Sequence, residues 1–200
     1  MVPKVILLTG APGTGKTTLR RAMTERIQGL RAYDYGELLL SRKQREGVDL
    51  SYEELRGQSA AVISPADVGT TDDWVVEEIT RLRSNCHIVI DSHALTREAY
   101  GFRAIPFSLS HLYQLKLDAI LVLRCDPDVL IARIEADRAG RRDATPQLTW
   151  EIQLLQEALS LTYAVACGCP MYVIDTTSLC EGEVLQVGLE ILSKLGVDAA

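Results

Sequence analysis

Eight consecutive residues, Gly10-Ala11-Pro12-Gly13-Thr14-Gly15-Lys16-Thr17, concentrate the chemistry of this chain. They meet the pattern G-x-x-x-x-G-K-[ST] in full, between the apolar run Val5-Ile6-Leu7-Leu8 and a helix-like segment from Thr18 to Met23. Glycines at 10, 13 and 15 allow backbone angles and a close approach that a Cβ would forbid. Successive N–H groups then turn inward as an anion nest, and the helix that follows adds the positive end of its dipole. Lys16 is expected on the β- and γ-phosphates and Thr17 on Mg²⁺, with Ala11, Pro12, Thr14 and Thr18 completing the cradle. The loop predicts binding of a nucleoside triphosphate. It says nothing of what receives a phosphate.

Three further groups could act beside that loop. Asp91 closes the apolar run Ile88-Val89-Ile90, where a P-loop protein keeps the acid that orients Mg²⁺ or its water. A carboxylate that caps the next turn is the alternative. Arg133, Arg138, Arg141 and Arg142 gather around a stretch holding Gly140 and Pro146. Guanidiniums there could follow the charge that spreads over a transferring phosphoryl group, or could cover a solvated basic loop. On the acceptor side, Tyr35, Gly36, Arg42 and Arg56, with His93, Arg97 and Arg103, could line a cleft for an acceptor that is itself a phosphate ester. His93 could equally cap its own loop. His87 and His111 read as structural, and Trp74 and Trp150 as helix-packing residues.

These groups need a scaffold that brings them to one edge. Strands are predicted at about Lys4–Thr9, Leu30–Tyr35, Cys86–Asp91, Asp118–Arg124 and Met171–Asp175. The inner ones are nearly continuous apolar runs, as in a parallel sheet covered on both faces. Helices are predicted from the loop to about Gln28, over 37–45, from Trp74 to Leu82 behind Thr71-Asp72-Asp73, over 107–115, over 128–138, from Trp150 behind Thr149, and over 181–195. Ser51 and Glu54 have capping-box spacing, and Ser64-Pro65 is expected to break or bend the chain. Residues 92–106 read as a functional loop and 139–147 as a short basic one. Strands alternating with helices predict an α/β sandwich with the ligand site at the carboxyl ends of the strands.

Composition narrows the class. Hydrophobic residues make up 47% and charged residues 24%, ordinary for a globular chain, and 200 residues suit one domain. No apolar run has the length of a membrane span, and Met1-Val2-Pro3-Lys4 runs straight into a strand rather than reading as a leader, so a cytoplasmic protein is expected. A net charge of −6 argues against a nucleic-acid partner. Cys86, Cys125, Cys167, Cys169 and Cys180 are expected as buried reduced thiols; Cys167-Gly168-Cys169 lacks the second Cys/His pair that a zinc site needs.

With these residues in hand, the chain resembles nucleoside monophosphate kinases, in particular the archaeal-type adenylate kinases, over nearly its whole length. The resemblance rests on Gly10 to Thr18, Tyr35-Gly36-Glu37-Leu38, Val89-Ile90-Asp91-Ser92-His93, Ala99 to Pro106, Leu130-Ile131-Ala132-Arg133, the Arg138–Asp143 stretch and Thr162-Tyr163-Ala164. It implies a three-layer α/β/α P-loop kinase with a five-stranded parallel sheet of order 2-3-1-4-5, a monophosphate-binding segment near 36–66 and a short lid near 138–147. It also implies Mg²⁺-dependent transfer of the γ-phosphoryl of ATP to AMP, with Lys16, Arg133, Arg138 and Arg142 catalytic and Thr17 and Asp91 at the metal. Such enzymes are often trimers, so an oligomer is compatible with it. The residues alone leave open a kinase for a sugar, a metabolite alcohol or a nucleic-acid end, and an ATP-binding regulatory protein.

Overall fold

Alternation along the first strand sets up two cores. In the computed structural model, which describes residues 2–51, 54, 63–98, 101–104, 107–136 and 145–198, β1 spans Val5–Gly10 and is buried throughout. Val5 and Leu7 point into one apolar cluster and Ile6 and Leu8 into another, because successive side chains leave opposite faces of a strand. The other strands of this sheet are β2 (Arg31–Asp34), β3 (Ile88–Asp91), β6 (Ala119–Arg124) and β7 (Met171–Asp175). All pair in parallel in the spatial order β2-β3-β1-β6-β7. Counting only strands of this sheet, that is the expected 2-3-1-4-5.

Helices cover both faces, giving three layers. One face packs α1 (Lys16–Arg26) and α7 (Glu181–Lys194), which bring Leu19, Met23, Val184, Ile191 and Leu192 onto Ile6, Leu8 and Leu121. The other packs α2 (Tyr35–Arg45), α3 (Pro65–Leu82), α4 (Leu109–Leu115) and α6 (Pro146–Cys167). A small third cluster, Ala11, Cys125 and Leu130, seats α5 (Pro127–Ala136) beneath the glycine loop. No helix among the described residues is long and apolar enough to cross a membrane.

Several local expectations are corrected. At Ser64-Pro65 the chain turns into a helix. Ser64 caps α3, with Pro65 in its first turn and a reciprocal box to Asp67, so the helix starts well before Thr71-Asp72-Asp73. Residues expected to open that helix lie inside it, and Asp72 is buried. The expected loop at 92–106 contains an antiparallel hairpin of β4 (Leu95–Glu98) and β5 (Gly101–Ala104). Helix α6 begins behind Thr145, whose hydroxyl accepts from the Leu148 N–H at 3.3 Å, rather than behind Thr149. Residues 145–147 of the expected lid are therefore a cap and first turn; the rest of it, with Arg138, Arg141 and Arg142, lies outside the described residues, as does Arg56. The capping box of Ser51 and Glu54 is present. Of the cysteines, only Cys125 is buried; Cys180 is exposed at the start of α7.

Candidate active site

The glycine loop joins the buried end of β1 to α1. Gly10 has φ 145°, and a Cβ built on it would lie 2.4 Å from the Leu123 carbonyl of β6, so a side chain is excluded twice over. Thr14 turns the loop, its hydroxyl donating to the Ala11 carbonyl at 2.7 Å. Helix α1 is capped by Gly15 at φ 95°, and no side chain caps its first-turn N–H groups. Lys16 Nζ is buried within the loop and donates to Gly10 O at 2.7 Å and Ala11 O at 3.1 Å. Ammonium group and helix amides thus converge on one spot, the arrangement that suits an anion. Thr17 is half-buried and Thr18 exposed on the first turn, Pro12 is half-buried and Ala11 buried.

Asp91 ends β3, paired in register with Leu8 of β1 and with Asp34 of β2. Two carboxylates on adjacent strands would repel, and one side chain holds them both: Arg20 Nε lies 3.1 Å from Asp91 Oδ2 and Nη2 lies 3.1 Å from Asp34 Oδ2. Burial pushes the Asp91 carboxyl up from its ordinary range; Asp34 adds to this, while Lys16 and Arg20 oppose it. Asp34 also accepts the Glu37 N–H at 3.1 Å and so starts α2. Sequence reasoning missed Arg20. A signal existed, since it stands one helical turn past Lys16 and shares its face of α1.

Behind the loop lies a polar layer. Thr9 Oγ1 accepts from the Ala94 N–H at 3.2 Å and from Gln156 Nε2 at 2.7 Å. The Gln153 amide clasps the Cys125 backbone through two bonds of 2.8 Å. These side chains of α6 fix the carboxyl ends of β1 and β6. His93 Nδ1 lies 3.0 Å from Gly10 O, so the nitrogen that faces the loop carries the proton. On α5, Arg133 donates to Thr176 Oγ1 at 3.0 Å and to Thr176 O at 2.8 Å; Thr176 Oγ1 is 3.3 Å from Thr14 O.

The structure thus gathers Lys16, Asp91, His93 and, through Thr176, Arg133 around the loop. It does not gather the expected acceptor residues equally. Tyr35 is 3% exposed, its hydroxyl donating to Asp72, which also accepts the Phe107 N–H at 2.9 Å. Gly36 lies in the first turn of α2 rather than at a strand end. Arg42 lies in the last turn of α2, with Nε 3.1 Å from Glu46. Arg97 belongs to β4, opposite Phe102, and Arg103 donates to the Ile63 carbonyl at 3.1 Å. His87 accepts the Lys4 N–H at 3.1 Å and His111 pairs with Asp73 at 3.0 Å, both structural. Trp74 packs edge-on against Tyr33, whereas Trp150 is exposed rather than packed.

Residues 9–151 match the AAA domain family. The chain is 25% identical over 198 residues to an adenylate kinase of Methanoculleus marisnigri, covering 96% of this chain and 97% of that one. Its fold is similar to that of a shikimate kinase from Acinetobacter baumannii in complex with shikimate, with a TM-score of 0.58, 16% identity and 96% and 94% of the two chains covered. It is also similar to a gluconokinase from Sinorhizobium meliloti, with a TM-score of 0.54, 19% identity and 97% and 94% covered.

Proposed function

The chain belongs to the AAA domain family, and on that premise we propose that it is a P-loop phosphotransferase that moves the γ-phosphoryl of ATP to a nucleoside monophosphate, AMP. The observation that carries this reading is the convergence of Lys16 Nζ and the uncapped α1 amides, with buried Asp91 on the adjoining strand. Similarity to an adenylate kinase along essentially both whole chains supports the choice of acceptor.

The residues present fit a magnesium nucleotide. A loop whose only ammonium group is turned onto its own carbonyls, and whose helix start lacks a side-chain cap, has donors to give a polyphosphate. Thr17 offers a hydroxyl and Asp91 a carboxylate to Mg²⁺ or its waters. When bound, Mg²⁺ supplies charge neutralisation on the β- and γ-phosphates. Lys16 swings from the Gly10 and Ala11 carbonyls onto the transferring group. Arg133, with Arg138 and Arg142 from the stretch between α5 and α6, neutralises the equatorial oxygens and helps exclude water. Arg20 holds Asp91 in place and balances its charge. On the acceptor side the reading assigns Gly36, Arg42, Arg56, His93 and Arg97 to the monophosphate. No dedicated strong base is required, since such transfer is chiefly positioning and electrostatics.

A second reading has one observation in its favour. Asp34 sets a second carboxylate beside Asp91 on the acceptor side. Paired acids suit a hydroxyl, which they can orient and deprotonate, better than an anionic phosphate ester. A kinase for a small alcohol would use Asp34 in this way. A bisubstrate analogue with two adenosines joined by a polyphosphate separates the two. Inhibition at far lower concentration than by ATP analogues of equal charge supports AMP, and equal inhibition by both supports the alcohol.

A further inference from the structure

Helix α6 buries polar side chains, Thr149, Gln153, Gln156 and Ser160, ahead of the core residues Tyr163 and Ala164, whereas an apolar stripe runs along its outward face beside exposed Glu151 and Thr162. Trp150, Leu154, Leu161 and Val165 are 56%, 49%, 54% and 77% exposed, and Ala158 is exposed between them. A surface helix ordinarily shows the opposite polarity. The buried amides are explained by the strand ends they hold; the outward stripe has no such role.

The stripe reads the same from both ends. Trp150 and Val165 lie equally far from the midpoint between Glu157 and Ala158, and so do Leu154 and Leu161. Read from either end, the spacing is four, seven, four. A two-fold axis at that midpoint sets an antiparallel copy of the helix so that Trp150 meets Val165 and Leu154 meets Leu161, each contact occurring twice. This is the self-complementarity of an isologous interface. Ala158, the smallest residue of the stripe, falls next to the axis, where the helices approach most closely. The one acid at the centre, Glu157, leans away onto Arg124, 3.9 Å from its Nη1.

We propose that the outward face of α6 is a homodimer interface, formed by a second copy of this chain packed antiparallel across a two-fold axis near Ala158. The four stripe residues alone expose on the order of 400 Å², about half of the ~800 Å² per partner of a standard interface. Helix α4 adds to it: Cys167 lies 3.7 Å from the Leu112 carbonyl, so exposed Leu109 and Tyr113 belong to a helix beside the Val165 end. The same α6 carries Gln153 and Gln156 on its other side, so dimerisation would stiffen the helix that fixes the ends of β1 and β6.

Sedimentation velocity over a concentration series tests this. The wild type is expected at twice 22.1 kDa, and Leu154→Lys or Leu161→Glu at 22.1 kDa, each with an unchanged circular dichroism spectrum. Mixing the two variants, or combining both changes in one chain, places lysine against glutamate across the axis and restores the dimer. A wild type that stays at 22.1 kDa overturns the proposal and leaves the stripe to another partner. A trimer, a dimer indifferent to Leu154→Lys, or variants that fail to complement each other also overturns it.

Discussion

Asp34 and Asp91 stand side by side on neighbouring parallel strands, and a single guanidinium, that of Arg20, joins them. All three side chains are close to fully buried. Removing the cation would leave two facing carboxylates unbalanced. Arg20→Leu is expected to destabilise the fold by about 3–5 kcal/mol at pH 8, the usual cost of orphaning buried charge. The loss should shrink toward pH 5. Without Arg20 the folded Asp91 carboxyl rises further above its unfolded value, so the variant's folded state binds more protons and its stability falls as pH rises. Urea titrations at the two pH values measure the difference; equal losses would mean that Arg20 acts through packing alone.

Acid stability should depend on Asp67. It bridges α2 to α3 through Lys43 Nζ at 2.7 Å and closes the Ser64 box. Burial pushes its carboxyl up, but hydrogen bonds from Lys43 and Ser64 outweigh this and hold it at about 2. A depressed folded value means stability that is present above the unfolded pKa and lost as pH falls from about 4 toward 2. Asp67→Ala should cost about 1–2 kcal/mol at pH 7, or roughly 3–6 °C in Tm, and almost nothing near pH 2. Thermal melts across that window check it.

Tyr35→Phe separates a structural role from an acceptor role. The hydroxyl donates to buried Asp72, so its loss should cost about 1–3 kcal/mol in stability. The KM for the acceptor should stay within about twofold, because a buried side chain does not touch it. A tenfold rise in KM with unchanged stability would return Tyr35 to the acceptor site.

Much of this architecture was legible in the sequence, and the rest was hidden for identifiable reasons. Strands such as Val5–Gly10 and Ala119–Arg124 are continuous apolar runs, so burial on both faces wrote them plainly. The loop from Gly10 to Thr17 was readable because its backbone tolerates few alternatives. Asp72 was misread because Thr71-Asp72-Asp73 looks like a helix start, while the true start, Ser64-Pro65, looks like a break. The β4–β5 hairpin has no apolar alternation to announce it. Arg20 looked like any surface arginine; only the tertiary placement of Asp34 and Asp91 gives it a role.

Lys16→Ala should reduce phosphoryl transfer by at least ~10³-fold, since the ammonium group acts where charge develops. Its melting point should stay within a few degrees of wild type, because the bonds from Lys16 to the Gly10 and Ala11 carbonyls lie within one loop and join no two elements of the core. Single-turnover assays beside a thermal melt distinguish lost chemistry from lost structure. Near-normal transfer would remove the loop from the reaction.

The acceptor itself is tested most directly by ADP formation from ATP and Mg²⁺ with AMP, CMP, UMP, GMP and a set of simple alcohols, each offered in turn. Acceptor-dependent turnover with AMP well above every other compound is the expected result. Turnover with an alcohol and none with AMP, or a flat response to every acceptor, would contradict it.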